Sequence, residues 1–81
     1  MSYWLVLHCP GCEHAHGFDE RWKMTSKEPL NVTPSHVQKG TNGRCHLTVV
    51  AGEIHFAPDS EHKLSGTRVS VDPSWVHFAA D

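Results

Sequence analysis

Apolar and polar positions alternate along this chain in short runs, each closed by Gly, Pro, Asn or Asp, a pattern that predicts strands and turns. Ser2 to His8 is aromatic and branched, and is expected to be a strand stopped at Pro10-Gly11. His14 to Arg21 alternates weakly and reads as a second strand returning from the turn between Cys9 and Cys12. Trp22 to Asn31 is polar and interrupted by Pro29, so it reads as loop. Thr33 to Gly40 has the marks of a short helical turn, with Thr33 as cap, Pro34 at the first helical position and Gly40 at the end. Thr41-Asn42-Gly43 is a turn signal.

The clearest element is a hairpin between Arg44 and Ala57. Runs Cys45–Val50 and Glu53–Phe56 flank Ala51-Gly52, where glycine permits the positive φ of a tight turn. That loop sets Val50 opposite Glu53 and Val49 opposite Ile54. Side chains alternate across a strand, so Cys45, Leu47, Val49, Ile54 and Phe56 share one face, expected to be core. His46, Thr48 and His55 share the other, more open face. Pro58 to His62 reads as loop, Leu64-Ser65-Gly66 as a turn, and Thr67 to Val71 as a short last strand before Asp72-Pro73. The aromatic tail Ser74 to Phe78 is expected to pack back on the body or on a neighbour. The class is therefore mainly β, with a small α+β variant open: one antiparallel domain over residues 1–81, built around a central hairpin and stabilised by zinc.

The zinc expectation comes from size and cysteine usage. A chain of 81 residues buries too little surface to be secure on its core alone, and small domains commonly add a disulfide, a metal or a partner. Three cysteines cannot all pair within one chain, which favours a metal or a free thiol over a disulfide framework. Cys9-Pro10-Gly11-Cys12 is a C-x-x-C knuckle whose Pro-Gly turn lets two thiolates face one cation. A thioredoxin-type redox pair would need a helix after the motif, and none is expected here. The third and fourth ligands come from His14, His16, Cys45, His46 or His62. Cys45 is the first choice, and the set carried forward is Cys9, Cys12, Cys45 and His16, with the fourth position open. The competing reading makes Cys45 a small core residue beside Leu47.

Charge and length remove other classes. The net charge of -2, with Lys and Arg scattered, gives no basic footprint for nucleic acid. No apolar run approaches the roughly 20 residues of a membrane span, and Tyr3 to Leu7 lacks the basic leader of a signal peptide. The expected location is the cytoplasm. Eight histidines make acid–base or metal chemistry plausible. A second constellation is Ser35, His46, Asp59 and His62: a serine becomes a nucleophile when a histidine takes its proton and a third group orients that histidine. Asp59 or His62 would be the orienting group. Ser35 as a helix-turn residue and His46 as a surface imidazole are the plainer readings.

The ordered set Cys9-Pro-Gly-Cys12, Glu28-Pro29, Thr33-Pro34-Ser35, Cys45-His46, Gly52-x-Ile54 and Asp59-x-x-His62-x-Leu64-x-Gly66 resembles a family of small bacteriophage proteins known only as a domain of unknown function. The likeness runs from about Leu7 to Asp72. The same cysteine turn, Pro-Ser and Cys-His elements are similar to the serine-type, deubiquitinase-like peptidase of bacterial ubiquitin-like conjugation operons. The resemblance implies Ser35 as nucleophile, His46 as base, cysteines holding structural zinc, a protein substrate such as a ubiquitin-like protein, and action in the bacterial host cell during phage infection. Two departures stand out. The phage family often carries Cys where this chain has Ser60, and Pro-Thr where it has Pro29-Leu30. A non-enzymatic, zinc-stabilised interaction module, serving a virion or inhibiting host defence, is the alternative.

Overall fold

The structure, a computed structural model, describes residues 3–41 and 43–79. Their elements in order are β1 (Leu5–His8), β2 (Ala15–Phe18), β3 (Lys23–Lys27), β4 (Leu30–Gly40), β5 (Gly43–Val50), β6 (Glu53–Phe56), β7 (Arg68–Ser70), a 3-10 turn (Pro73–Trp75) and β8 (Val76–Phe78). Every pairing among them is antiparallel. They form a three-stranded sheet, β2-β1-β8, and a five-stranded sheet, β3-β4-β5-β6-β7. The molecule is mainly β, and no helix among the described residues is long and apolar enough to cross a membrane.

The central hairpin has the expected register. Val50 opposes Glu53, Val49 opposes Ile54 and Thr48 opposes His55. Ala51 and Gly52 make the turn with φ of 50° and 80°, the left-handed values that a two-residue hairpin loop requires. Cys45, Leu47, Val49, Ile54 and Phe56 are buried, and they join Leu5, Leu7, Phe18 and Val32 in one core shared by both sheets. The aromatic tail packs back as expected, β8 pairing with β1 through Leu5↔Phe78 and Leu7↔Val76.

Two expectations fail, both between Trp22 and Gly40. Lys23–Lys27 is a strand and not a loop; it turns at Glu28-Pro29 to pair with the start of β4. The stretch Thr33–Gly40 is not a helical turn but the body of β4. A cap and a proline suit the first turn of a helix, but pairing along β5 and burial of Leu30, Val32 and His36 on one face outweigh that local preference. Pro34 is tolerated because it sits in a bulge. Val32 opposes Val49 and His36 opposes Leu47, so Thr33, Pro34 and Ser35 together face only Thr48. An excess of two residues preserves the side-chain alternation. His36 therefore stays on the core face while Ser35 is turned out to solvent. The Thr33–Pro34 and Glu28–Pro29 peptides are cis. Ser2 and Asn42, which belong to the first expected strand and to the Thr41–Gly43 turn, lie outside the described residues.

Candidate functional site

Cys9 follows β1 and Cys12 ends the knuckle that turns the chain toward β2. Cys9 N–H donates to His14 O at 3.1 Å, which closes the loop. Cys12 N–H approaches Cys9 Sγ at 3.5 Å, the kind of amide contact that favours a thiolate. Gly11 is needed inside this turn, since a Cβ there would run into the His62 ring. His16 lies on β2 opposite Leu7 and faces inward, fully buried. Cys45 comes from the other sheet, on the core face of β5.

The donor atoms of Cys9, Cys12, His16 and Cys45 all lie within 4.8 Å of one another, and all four residues are buried. Together they could hold a metal ion. A tetrahedral cation with bonds of about 2.3 Å to sulfur and 2.0 Å to nitrogen spaces its donors by about 3.8 Å (S to S) and 3.5 Å (S to N). Here Cys9 Sγ and Cys45 Sγ are 3.7 Å apart, and Cys12 Sγ and His16 Nε2 are 3.4 Å apart. The thiol electrostatics also suit a cation. The Cys45 thiol, by hydrogen bonding, holds Cys9 far below the ordinary thiol value, down to about 3. That bond to Cys9, with burial, pushes Cys45 up, and burial pushes Cys12 up as well. A dication bound among these thiols would draw off their remaining protons.

The imidazole is oriented from behind. His36 Nε2–H donates to Gly17 O at 2.9 Å, which leaves His36 Nδ1 as an acceptor for His16 Nδ1–H, also at 2.9 Å. His16 Nε2 is then a lone pair aimed at the thiol cluster, the tautomer a metal ligand needs. Burial lowers the His36 pKa, in keeping with this neutral relay. His36 is packed between Phe18 and Trp22, with ring centroids 4.6 Å from each. His62 reaches the cluster from its rim, Nε2 lying 3.3 Å from Cys45 Sγ. Leu64 N–H donates to His62 Nδ1 at 3.2 Å, so the ring hydrogen sits on Nε2 and points at that sulfur. This makes His62 a donor to the sulfur.

On the opposite face of β5, His46 lies between two partners. Ser35 Oγ–H donates to His46 Nε2 at 3.1 Å, and His46 Nδ1–H donates to Asp59 Oδ1 at 2.9 Å. Ser35, His46 and Asp59 thus form a continuous chain of hydrogen bonds, open to solvent at the serine. Of the four residues expected to act together, His62 is the one placed elsewhere. Trp22 Nε1–H donates to Ser35 O at 3.2 Å and holds the bulge. The buried Ser60 holds the acidic loop: its Oγ accepts from His46 N–H at 3.0 Å and donates to His46 O at 2.9 Å.

Comparison with protein-family models, with curated proteins and with solved structures finds no match. The chemistry therefore rests on these two clusters. Sequence reasoning passed over His36 and Ser60. No neighbouring histidine marks His36 in the sequence, the nearest being His46 and His16, whereas Ser60 looked only like a position where a cysteine is missing.

Proposed function

We propose that this chain is a zinc-stabilised, serine-type hydrolase that cleaves an acyl bond in a protein substrate, the resemblance pointing to a ubiquitin-like protein in a phage-infected bacterial cytoplasm. One observation carries the reading: the Ser35–His46–Asp59 relay has hydrogen-bond distances and tautomers suited to general-base activation of a hydroxyl. Ser35 Oγ attacks the substrate carbonyl as its proton passes to His46 Nε2. Asp59 holds the ring in register and stabilises the imidazolium. His46 then gives that proton to the leaving amine, and water, deprotonated by the same ring, releases the acyl group from Ser35. Cys9, Cys12, His16 and Cys45 would hold zinc, whose contribution is structural: four protein donors leave no open coordination position.

A fluorophosphonate probe tests this reading. Wild-type protein is expected to be labelled, with Ser35→Ala unlabelled and His46→Ala labelled at least a hundredfold more slowly, as general-base contributions of about 100-fold to 10,000-fold imply. Equal labelling of Ser35→Ala, or none of folded wild type, overturns it. The adaptor reading draws on a different feature, an open groove of about 430 Å³ lined by Leu30, Val71, Pro73, Val76 and Phe78 among others. It predicts that no fluorophosphonate adduct forms.

A further inference from the structure

We propose that the substrate binds as an extended peptide segment added to the free edge of β4 beside Ser35. This rests on the serine reading above and specifies the shape of what that serine attacks.

Strand β4 is covered on both sides only in its first part. Its pairing with β3 ends at Lys23↔Thr33, while pairing with β5 continues to Gly40↔Gly43. The direction of the backbone groups beyond Thr33 follows from their partners on β5. Arg44 N–H donates to Glu61 Oε1, and Arg44 O accepts from Glu61 N–H, both at 2.7 Å. His46 N–H donates to Ser60 Oγ, and His46 O accepts from Ala57 N–H at 2.9 Å. All four groups point away from β4. Opposed residues of an antiparallel pair either exchange both hydrogen bonds or neither. Lys39 and Val37, which oppose Arg44 and His46, therefore turn their N–H and C=O groups to the other side. Among the described residues, no strand pairs with that side. The Ser35 carbonyl points outward too, and Trp22 Nε1 caps it. Among the described residues, no hydrogen bond reaches the N–H or C=O of Val37 or Lys39.

Exposed edges are normally blunted by charge, proline or a covering element. Here Val37 is 50% exposed and offers an apolar foothold on that edge. The position of the base argues for the same occupant. His46 holds Ser35 Oγ from the β5 side, so a carbonyl under attack must approach from the other side. A strand laid along Val37–Lys39 arrives there. Its own N–H and C=O groups match the two unpaired sets, and its alternate side chains meet Val37.

The test compares two probes on the intact zinc-loaded protein: a simple alkyl fluorophosphonate, and a peptidyl phosphonate with a short Ala/Val extension. The extension is expected to speed labelling of Ser35 relative to an extended but fully N-methylated control by about tenfold, the yield of two or three added hydrogen bonds. Single N-methyl groups placed along the extension should abolish the gain at every second residue and spare it at the others, the period of a strand. In Val37→Pro, which removes an edge N–H, the ratio of the peptidyl rate to its control should fall to about one. A peptidyl probe no faster than its N-methylated control, while the alkyl probe still labels Ser35, overturns strand addition and leaves the serine reading standing. Failure of the alkyl probe sinks both. A second copy of the chain on this edge would also overturn the proposal, showing as a dimer in sedimentation whose formation slows peptidyl labelling.

Discussion

Cys45 and His46 are neighbours on β5, yet they belong to regions of opposite character. Cys45 is 1% exposed and joins a cluster in which two sheets meet. His46 points the other way, its side chain 27% exposed, between a solvent-facing hydroxyl and an exposed carboxylate. Strand alternation alone separates them. The buried cluster has its donors directed inward and its imidazole locked from behind by His36. It is built to stay closed. The open relay leaves its serine reachable, and every element holding it (the β4 bulge, β5, the loop before His62) is anchored close to the cluster. On the proposed reading, one site supplies rigidity and the other uses it.

Removing the metal should test this dependence most forcefully. A structural zinc contributes on the order of 10 kcal/mol at neutral pH in small domains. A domain of 81 residues has a total stability of roughly 4–12 kcal/mol. Chelation, or Cys45→Ser, is therefore expected to abolish the cooperative thermal transition and fluorophosphonate labelling together. Elemental analysis should find about one zinc per chain in wild type and little in the variant. A metal-free protein that melts cooperatively and still reacts at Ser35 would break the comparison.

These two regions were not equally legible in the sequence. The hairpin around Ala51-Gly52 carried its register openly, because period-two burial and a turn glycine agree. Cys9 and Cys12 were legible as a pair, since close spacing makes their local geometry nearly inevitable, and thiol count favoured Cys45, but spacing alone could not tell His16 from His14, His46 or His62. Ser35, His46 and Asp59 could be listed as types suited to one another, but their meeting depends on the β4 bulge. That bulge was hidden: Thr33-Pro34 has the local signature of a helix start, and only pairing with β5 shows it to be an interruption of a strand. His36 was opaque for the same reason, because a helical reading gives it no fixed face. Ser60 shows a different limit. Its two hydrogen bonds go to the backbone of His46, and backbone partners leave no trace in residue identity.

A smaller effect should sharpen the buried side of the comparison. His36→Phe fills the space among Phe18 and Trp22 but removes the acceptor for His16 Nδ1–H. Loss of such an outer partner typically weakens metal binding by about 10-fold to 100-fold. Competition with a chromophoric chelator should show that weakening, while zinc-saturated protein keeps its β-sheet circular dichroism. His36→Gln, whose side-chain oxygen can accept from His16, is expected to recover part of the affinity. Unchanged affinity in His36→Phe would mean that the ring of His16 is oriented by packing alone.

The smallest effect concerns the open side and the hydroxyl of Ser60. Ser60→Ala takes one donor and one acceptor from the His46 backbone, leaving its N–H without that partner in a poorly hydrated place. The expected loss is about 1–3 kcal/mol of stability, seen as a lower denaturant midpoint. Because Asp59 adjoins Ser60 in the chain, its carboxylate should also lose register with His46. Labelling of Ser35 should slow by about tenfold, a modest share of what misplacement by 1 Å can cost. Ser60→Thr keeps the hydroxyl and should restore the labelling rate more fully than it restores stability, since its extra methyl must be fitted into a buried site. If Ser60→Ala loses stability but labels at the wild-type rate with metal fully bound, the acidic loop is held by Ala57 and Glu61 through their backbone bonds to β5. The relay would then be less dependent on its neighbours than the metal cluster is on His36.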